Sequence, residues 1–164
     1  MILQSFKEIS FKYVLPLTVI SFFTVTQWWY ALPVDGVDTL YWGFPFPYVG
    51  EGWHTSGSLQ FFILEVLADL LTYFLLCFAL VSGMHKWVPS ITSGKLFVRS
   101  LRALAIFYIL GIVLVLSVSN PVFNFKRPYE WRMIDHGLVF IWQRTPRPDH
   151  PGAQPSFIPS DSIK

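Results

Sequence analysis

The run from Leu59 to Val81 constrains this chain most, because it is long and apolar enough to cross a bilayer and yet carries two acids. It opens after Thr55-Ser56-Gly57-Ser58 and stops at Ser82-Gly83, good start and stop chemistry for a helix. Within it, "LEVLADLLTYF" sets Glu65 and Asp69 four residues apart, on one helical face that Thr72, Tyr73 and Cys77 extend. At ~1.5 Å per residue from Leu59, Glu65 lies roughly 9 Å and Asp69 roughly 15 Å along the axis. An ionised group near mid-membrane costs about 2.5–3.5 kcal/mol, so each acid needs a proton, a hydrogen bond or a cation. Glu65 is too deep for a capping box after Ser58. Three readings stay open for the pair: polar contacts to Gln27, Thr24 or Tyr108, pairing with another subunit, or a proton or cation path. A carboxyl group in low dielectric can change protonation state near neutral pH, which is what the last reading requires.

Two further runs flank this one. Tyr13 to Pro33 holds no charge and ends in the cluster Trp28, Trp29 and Tyr30, as at a headgroup interface. It follows Lys7 and Lys12, but no small-x-small cleavage site follows it, so it reads as a retained anchor. Ala103 to Ser119 is the third, stopped by Asn120-Pro121, with Ser93-Gly94 marking where its helix begins. With 53% hydrophobic and 13% charged residues in 164, the composition is that of an integral membrane protein. The expected fold class is an all-α integral membrane protein with three transmembrane helices. Its expected segments are a cytoplasmic N-terminus (1–12), spans at 13–33, 59–83 and 103–120, an external aromatic loop (34–58), a basic cytoplasmic loop (84–102) and an external C-terminal segment (121–164).

Orientation follows from the loops. Gly83 to Arg102 carries Lys86, Lys95, Arg99 and Arg102 without an acid, whereas Val34 to Ser58 carries Asp35, Asp38 and Glu51 without a Lys or Arg. The basic loop is therefore read as cytoplasmic, with Lys95, Arg99 and Arg102 as topology determinants in contact with anionic lipid. The C-terminal segment, with Lys126, Arg127, Arg132, Arg144 and Arg147, falls outside against that rule.

Between the first two runs, "DTLYWGFPFPYVGEGWHTSG" alternates rings with Pro and Gly and favours an extended path along the membrane. Tyr41, Trp42, Phe44, Phe46, Tyr48 and Trp53 are the candidate interfacial or partner-docking rings. In the C-terminal segment, Gly137 to Trp142 is too short to span and reads as a strand, pairing with Val122 to Phe125 in a short hairpin. The Pro- and Ser-rich tail after it cannot build a core.

Catalytic patterns are few. Cys77 is the single cysteine, which removes a CxxC pair and a thiolate zinc site. His54, His85, His136 and His150 show no metal-ligand spacing, and no phosphate loop or nucleophile elbow is present. No metal and no cofactor is expected, and a net charge of +2 argues against nucleic acid. The expected partners are the bilayer, preferably a bacterial cytoplasmic membrane, and other membrane subunits. The leading expectation is a non-enzymatic subunit or assembly factor of a larger membrane complex, docking through the second span, the aromatic loop and the tail. A proton- or cation-coupled element using Glu65 and Asp69 is the alternative. An enzyme acting on lipid or quinone through His54 and Glu65 is the third.

Overall fold

The computed structural model describes residues 9–33, 39–52, 58–87, 94–127, 130–143 and 145. After a π-helical turn at Ser10–Val14 the helix continues as α1 (Leu15–Thr24), with Pro16 just past the join. At Val25 the backbone turns extended and β1 (Val25–Pro33) begins. β2 (Thr39–Trp42), β3 (Val49–Glu51) and β4 (Leu59–Phe62) follow. β4 leads directly into α2 (Ile63–Trp87), and α3 (Lys95–Val118) leads into β5 (Pro121–Asn124) and β6 (Trp131–Phe140).

The strands form one six-stranded sheet in the order β5-β4-β3-β2-β1-β6. β4 to β1 are an antiparallel meander, β6 runs antiparallel to β1 with a bulge opposite Tyr30 and Ala31, and β5 lies parallel to β4. A parallel pair needs a long crossover, and here the α2–α3 hairpin supplies it. α2 therefore leaves from the C-terminal end of β4, and α3 returns at the N-terminal end of β5, beside the start of β4.

An all-α three-span fold is thus corrected: three helices stand beside a mixed sheet. The first apolar run is helical only to Thr24, and its remainder is β1. The second begins as β4, which puts Asp69 six residues, about 9 Å, into α2 rather than roughly 15 Å along it. The third extends back to Lys95, and Gly94 caps it as expected. The expected hairpin is absent: β5 and β6 occupy opposite edges of the sheet, because β1 takes β6 and β4 takes β5.

Helix packing is uneven. Tyr13, Val14, Cys77, Val81 and Leu101 form one core, so the start of the first helix meets the end of α2 and the start of α3. α1 is antiparallel to α2 and parallel to α3, and each long helix packs on α1 while scarcely touching the other among the described residues. Thr24, at the end of α1, donates to Tyr108 Oη of α3 at 3.0 Å, and Phe23 stacks on the same ring. Tyr108 and Tyr73 are each ten residues, about 15 Å, from the sheet ends of their helices. α1 consequently stops at that depth, and strand and loop fill the space above it. The sheet is apolar on both faces, with Trp28, Tyr30, Leu40 and Val139 on one and Ala31, Tyr41 and Phe62 on the other.

Two helices, Ile63–Met84 and Lys95–Val118, are long and apolar enough to cross a membrane.

Candidate functional site

The site is built on Asp69, which is fully buried on the face of α2 that also carries Tyr73 and Cys77. Its carboxylate accepts two backbone hydrogen bonds from the turn joining β2 to β3: Phe44 N–H donates to Oδ2 at 2.6 Å and Phe46 N–H to Oδ1 at 3.0 Å. Pro45 and Pro47 have no N–H to offer. Of the remaining donors, Gly43 N–H goes to the Gln27 carbonyl at 2.9 Å and Tyr48 N–H to the Trp42 carbonyl at 3.0 Å. Every backbone donor from Gly43 to Tyr48 is therefore satisfied, two of them by one side chain. Irregular backbone packed on a long apolar helix requires such closure, since a buried peptide group with no water in reach needs a partner from the protein.

The turn is held in other ways too. Gly43 has φ of 153°, and a Cβ there would collide with the Phe46 carbonyl oxygen. Trp29 Nε1–H donates to the Gly43 carbonyl at 2.9 Å. The peptide bond between Phe44 and Pro45 is cis. The Phe44 ring meets Tyr73 edge-on at 6.0 Å, and Tyr48 stacks on Phe22 of α1 at 4.9 Å. Burial, with the charge of Asp69 and the Tyr73 hydroxyl behind it, holds the Tyr48 phenol above the ordinary tyrosine range.

The rest of the α2 stripe is also occupied. Tyr73 Oη donates to the Val25 carbonyl at 2.5 Å, Cys77 Sγ lies 3.8 Å from Ser21 Oγ, and Thr72 donates back to the Ala68 carbonyl at 2.9 Å. Thr24, Tyr108 and Gln27, expected as partners of the acids, bond elsewhere: Thr24 to Tyr108, and Gln27 to His136 Nδ1 at 3.0 Å. Asp69 finds its partner within its own chain. Glu65 is different, since its Oε2 is buried without a hydrogen-bond partner among the described residues. Arg127, which could have folded back toward it, lies over the Trp131 ring at 4.4 Å.

Of the rings read as docking groups, Tyr41 is fully buried, Trp42 donates through Nε1 to Thr145 Oγ1 at 3.0 Å, and Phe44 and Tyr48 pack inward. Among the described ones, Phe46 alone is more than half exposed, at 51%. Trp53 and His54 lie outside the described residues. Lys95, Arg99 and Arg102 are exposed on the first turns of α3, at the end of the bundle away from the sheet. No group of His, Cys, Asp and Glu suited to a metal is present among the described residues. Phe44 and Phe46, expected as docking rings, serve Asp69 through their main chain, and the alternation of Pro with donor residues in "GFPFPY" is the signal the sequence offers for that role.

No family model matches this chain, and neither a curated protein nor a solved structure matches it.

Proposed function

We propose that this chain is a small non-enzymatic integral membrane subunit, or an assembly and stabilising factor, of a larger membrane complex. Its N-terminus and α2–α3 connection face the cytoplasm of a bacterial cell, and its sheet faces outward. The observation that carries the docking role is strand β6. It is ten residues long and pairs on one side only, with β1, among the described residues, and it exposes Met133 and Leu138. A long edge of this kind is a template for a strand from another chain.

Membrane embedding is supported by the helices. Only 17% of the apolar window in α2 and 11% of that in α3 is buried, whereas the core helix of a water-soluble protein is mostly covered. The orientation is supported by Lys95, Arg99 and Arg102 at the end opposite the sheet. Docking falls to the sheet edge rather than to the aromatic turn, whose Phe44 and Tyr48 rings pack inward and leave Phe46 as its exposed ring. Solubilisation in mild detergent followed by identification of co-purifying proteins tests the reading. A stoichiometric membrane partner is expected, and a monodisperse free monomer overturns it.

A second reading, a proton- or cation-coupled element, draws on the unpartnered Oε2 of Glu65. Proton flux in proteoliposomes that survives Glu65→Gln unchanged removes it.

A further inference from the structure

Because α2 and α3 pack on α1 and scarcely on each other, and α1 ends at Thr24, about 15 Å short of the sheet-side ends of both long helices, a gap remains between them just below strands β3, β4 and β5. It is a cavity of about 470 Å³. Val66 and Leu70 of α2 face Ile112 and Leu116 of α3 across it, Phe22 and Phe23 close it behind, and strands β3, β4 and β5 close it above. Every lining side chain is aliphatic or aromatic. Water has no hydrogen-bond partner along such a lining, whereas hydrocarbon entering from the open side gains dispersion contacts with it.

We propose that this cavity is a binding site for the alkyl chain of a membrane lipid or isoprenoid, entering sideways between α2 and α3. The inference rests on the membrane-embedded part of the proposed function. Dimensions choose the occupant. A transmembrane helix of a partner is about 10–12 Å across with its side chains and needs a groove running the length of the span. The cavity follows α2 only from Ile63 to Leu70 and is capped at one end by the sheet, so it admits a single chain and not a helix. Its volume falls in the ~300–1,000 Å³ range of small-molecule sites. No charged side chain lines it to receive a headgroup, so the hydrocarbon is what it recognises.

The test uses the full chain in vesicles containing a phospholipid with a diazirine on its acyl chain, irradiated and mapped by peptide mass spectrometry. Adducts are expected at Val66, Leu70, Ile112 and Leu116, in addition to the outward-facing Leu71 and Leu110. Filling the cavity with Leu70→Trp or Ile112→Trp should lower cavity labelling about tenfold, whereas Leu110→Trp should leave it unchanged. Labelling of Leu71 and Leu110 without the cavity residues overturns this inference alone. Labelling of neither set overturns the embedding as well. Should the filled variants fail to fold, native mass spectrometry of the unaltered protein decides: one retained lipid or isoprenoid mass per chain supports the site and identifies its source, and a bare chain, or a protein partner cross-linked there, overturns it.

Discussion

The hydroxyl of Tyr73 donates to the carbonyl oxygen of Val25 at 2.5 Å, joining the middle of α2 to the residue at which α1 becomes β1. The change from helix to strand leaves carbonyl groups without helical donors, and this phenol serves one of them.

Tyr73→Phe keeps the ring against Phe22 and Phe44 and removes only the donor. A loss of about 1 kcal/mol is expected. Reversible unfolding in mixed micelles measures it, and an unaltered midpoint would mean that the Val25 carbonyl finds another donor at no cost.

Asp69 supplies both acceptors for the turn, so the order of its variants is fixed. Asp69→Asn keeps one acceptor and points an amide donor at the other N–H, whereas Asp69→Ala leaves Phe44 and Phe46 both unpaired. About 1–3 kcal/mol is expected for each orphaned N–H, with the Ala variant the worse. Hydrogen exchange at Phe44 and Phe46 should rise in step, and protection unchanged in Asp69→Ala would refute the role.

Gly43→Ala should be at least as damaging as Asp69→Ala, since the new methyl meets the Phe46 carbonyl oxygen. Protease sensitivity of the 43–48 turn in detergent reads it, and wild-type resistance would show that the turn has a second arrangement.

Tyr48 gives an alkaline limit. Its phenol is raised in the folded state, so its contribution to stability is complete below the unfolded tyrosine value of about 10 and falls away as pH rises beyond that. Unfolding above about pH 10 should steepen with pH, and Tyr48→Phe should flatten that dependence. Identical profiles for the two proteins would remove Tyr48 as the cause.

Orientation is accessible to thiol labelling. With Cys77→Ser removing the single native thiol, Glu130→Cys and Lys95→Cys should react with an impermeant maleimide from opposite sides of the membrane. Reaction of both from one side would exclude the proposed arrangement.

What could be read beforehand divides along physical lines. Apolar runs announce themselves, but they do not announce where a strand becomes a helix when no polar residue marks the join. Phe61 and Phe62 pass into Ile63 and Leu64 of α2 with no break in hydrophobicity, whereas Thr24, Thr26 and Gln27 flank the join of α1 to β1 without ending the uncharged run. The β-branched Val25 and Thr26 followed by Trp28, Trp29 and Tyr30 are a strand signal that competes with the match of the whole run to bilayer length. Gly137 to Phe140 does lie in a strand, but it pairs with β1 and not with Val122 to Phe125, because the span-like hydropathy of Tyr13 to Pro33 hides β1. The carboxylate on α2 was conspicuous, whereas its two donors are peptide groups, which any residue but proline carries and no composition displays.

The parallel pairing of β4 with β5 also sets an order of events. As the chain is made from its N-terminus, the meander β1 to β4 comes first, but both of its outer strands wait: β4 for β5, and β1 for β6. Neither can be covered until α3 has been synthesised and turned back. Any product truncated before Pro121 therefore exposes the edges of β4 and β1, which the finished protein covers with β5 and β6, a mark by which cellular quality control could tell the two apart.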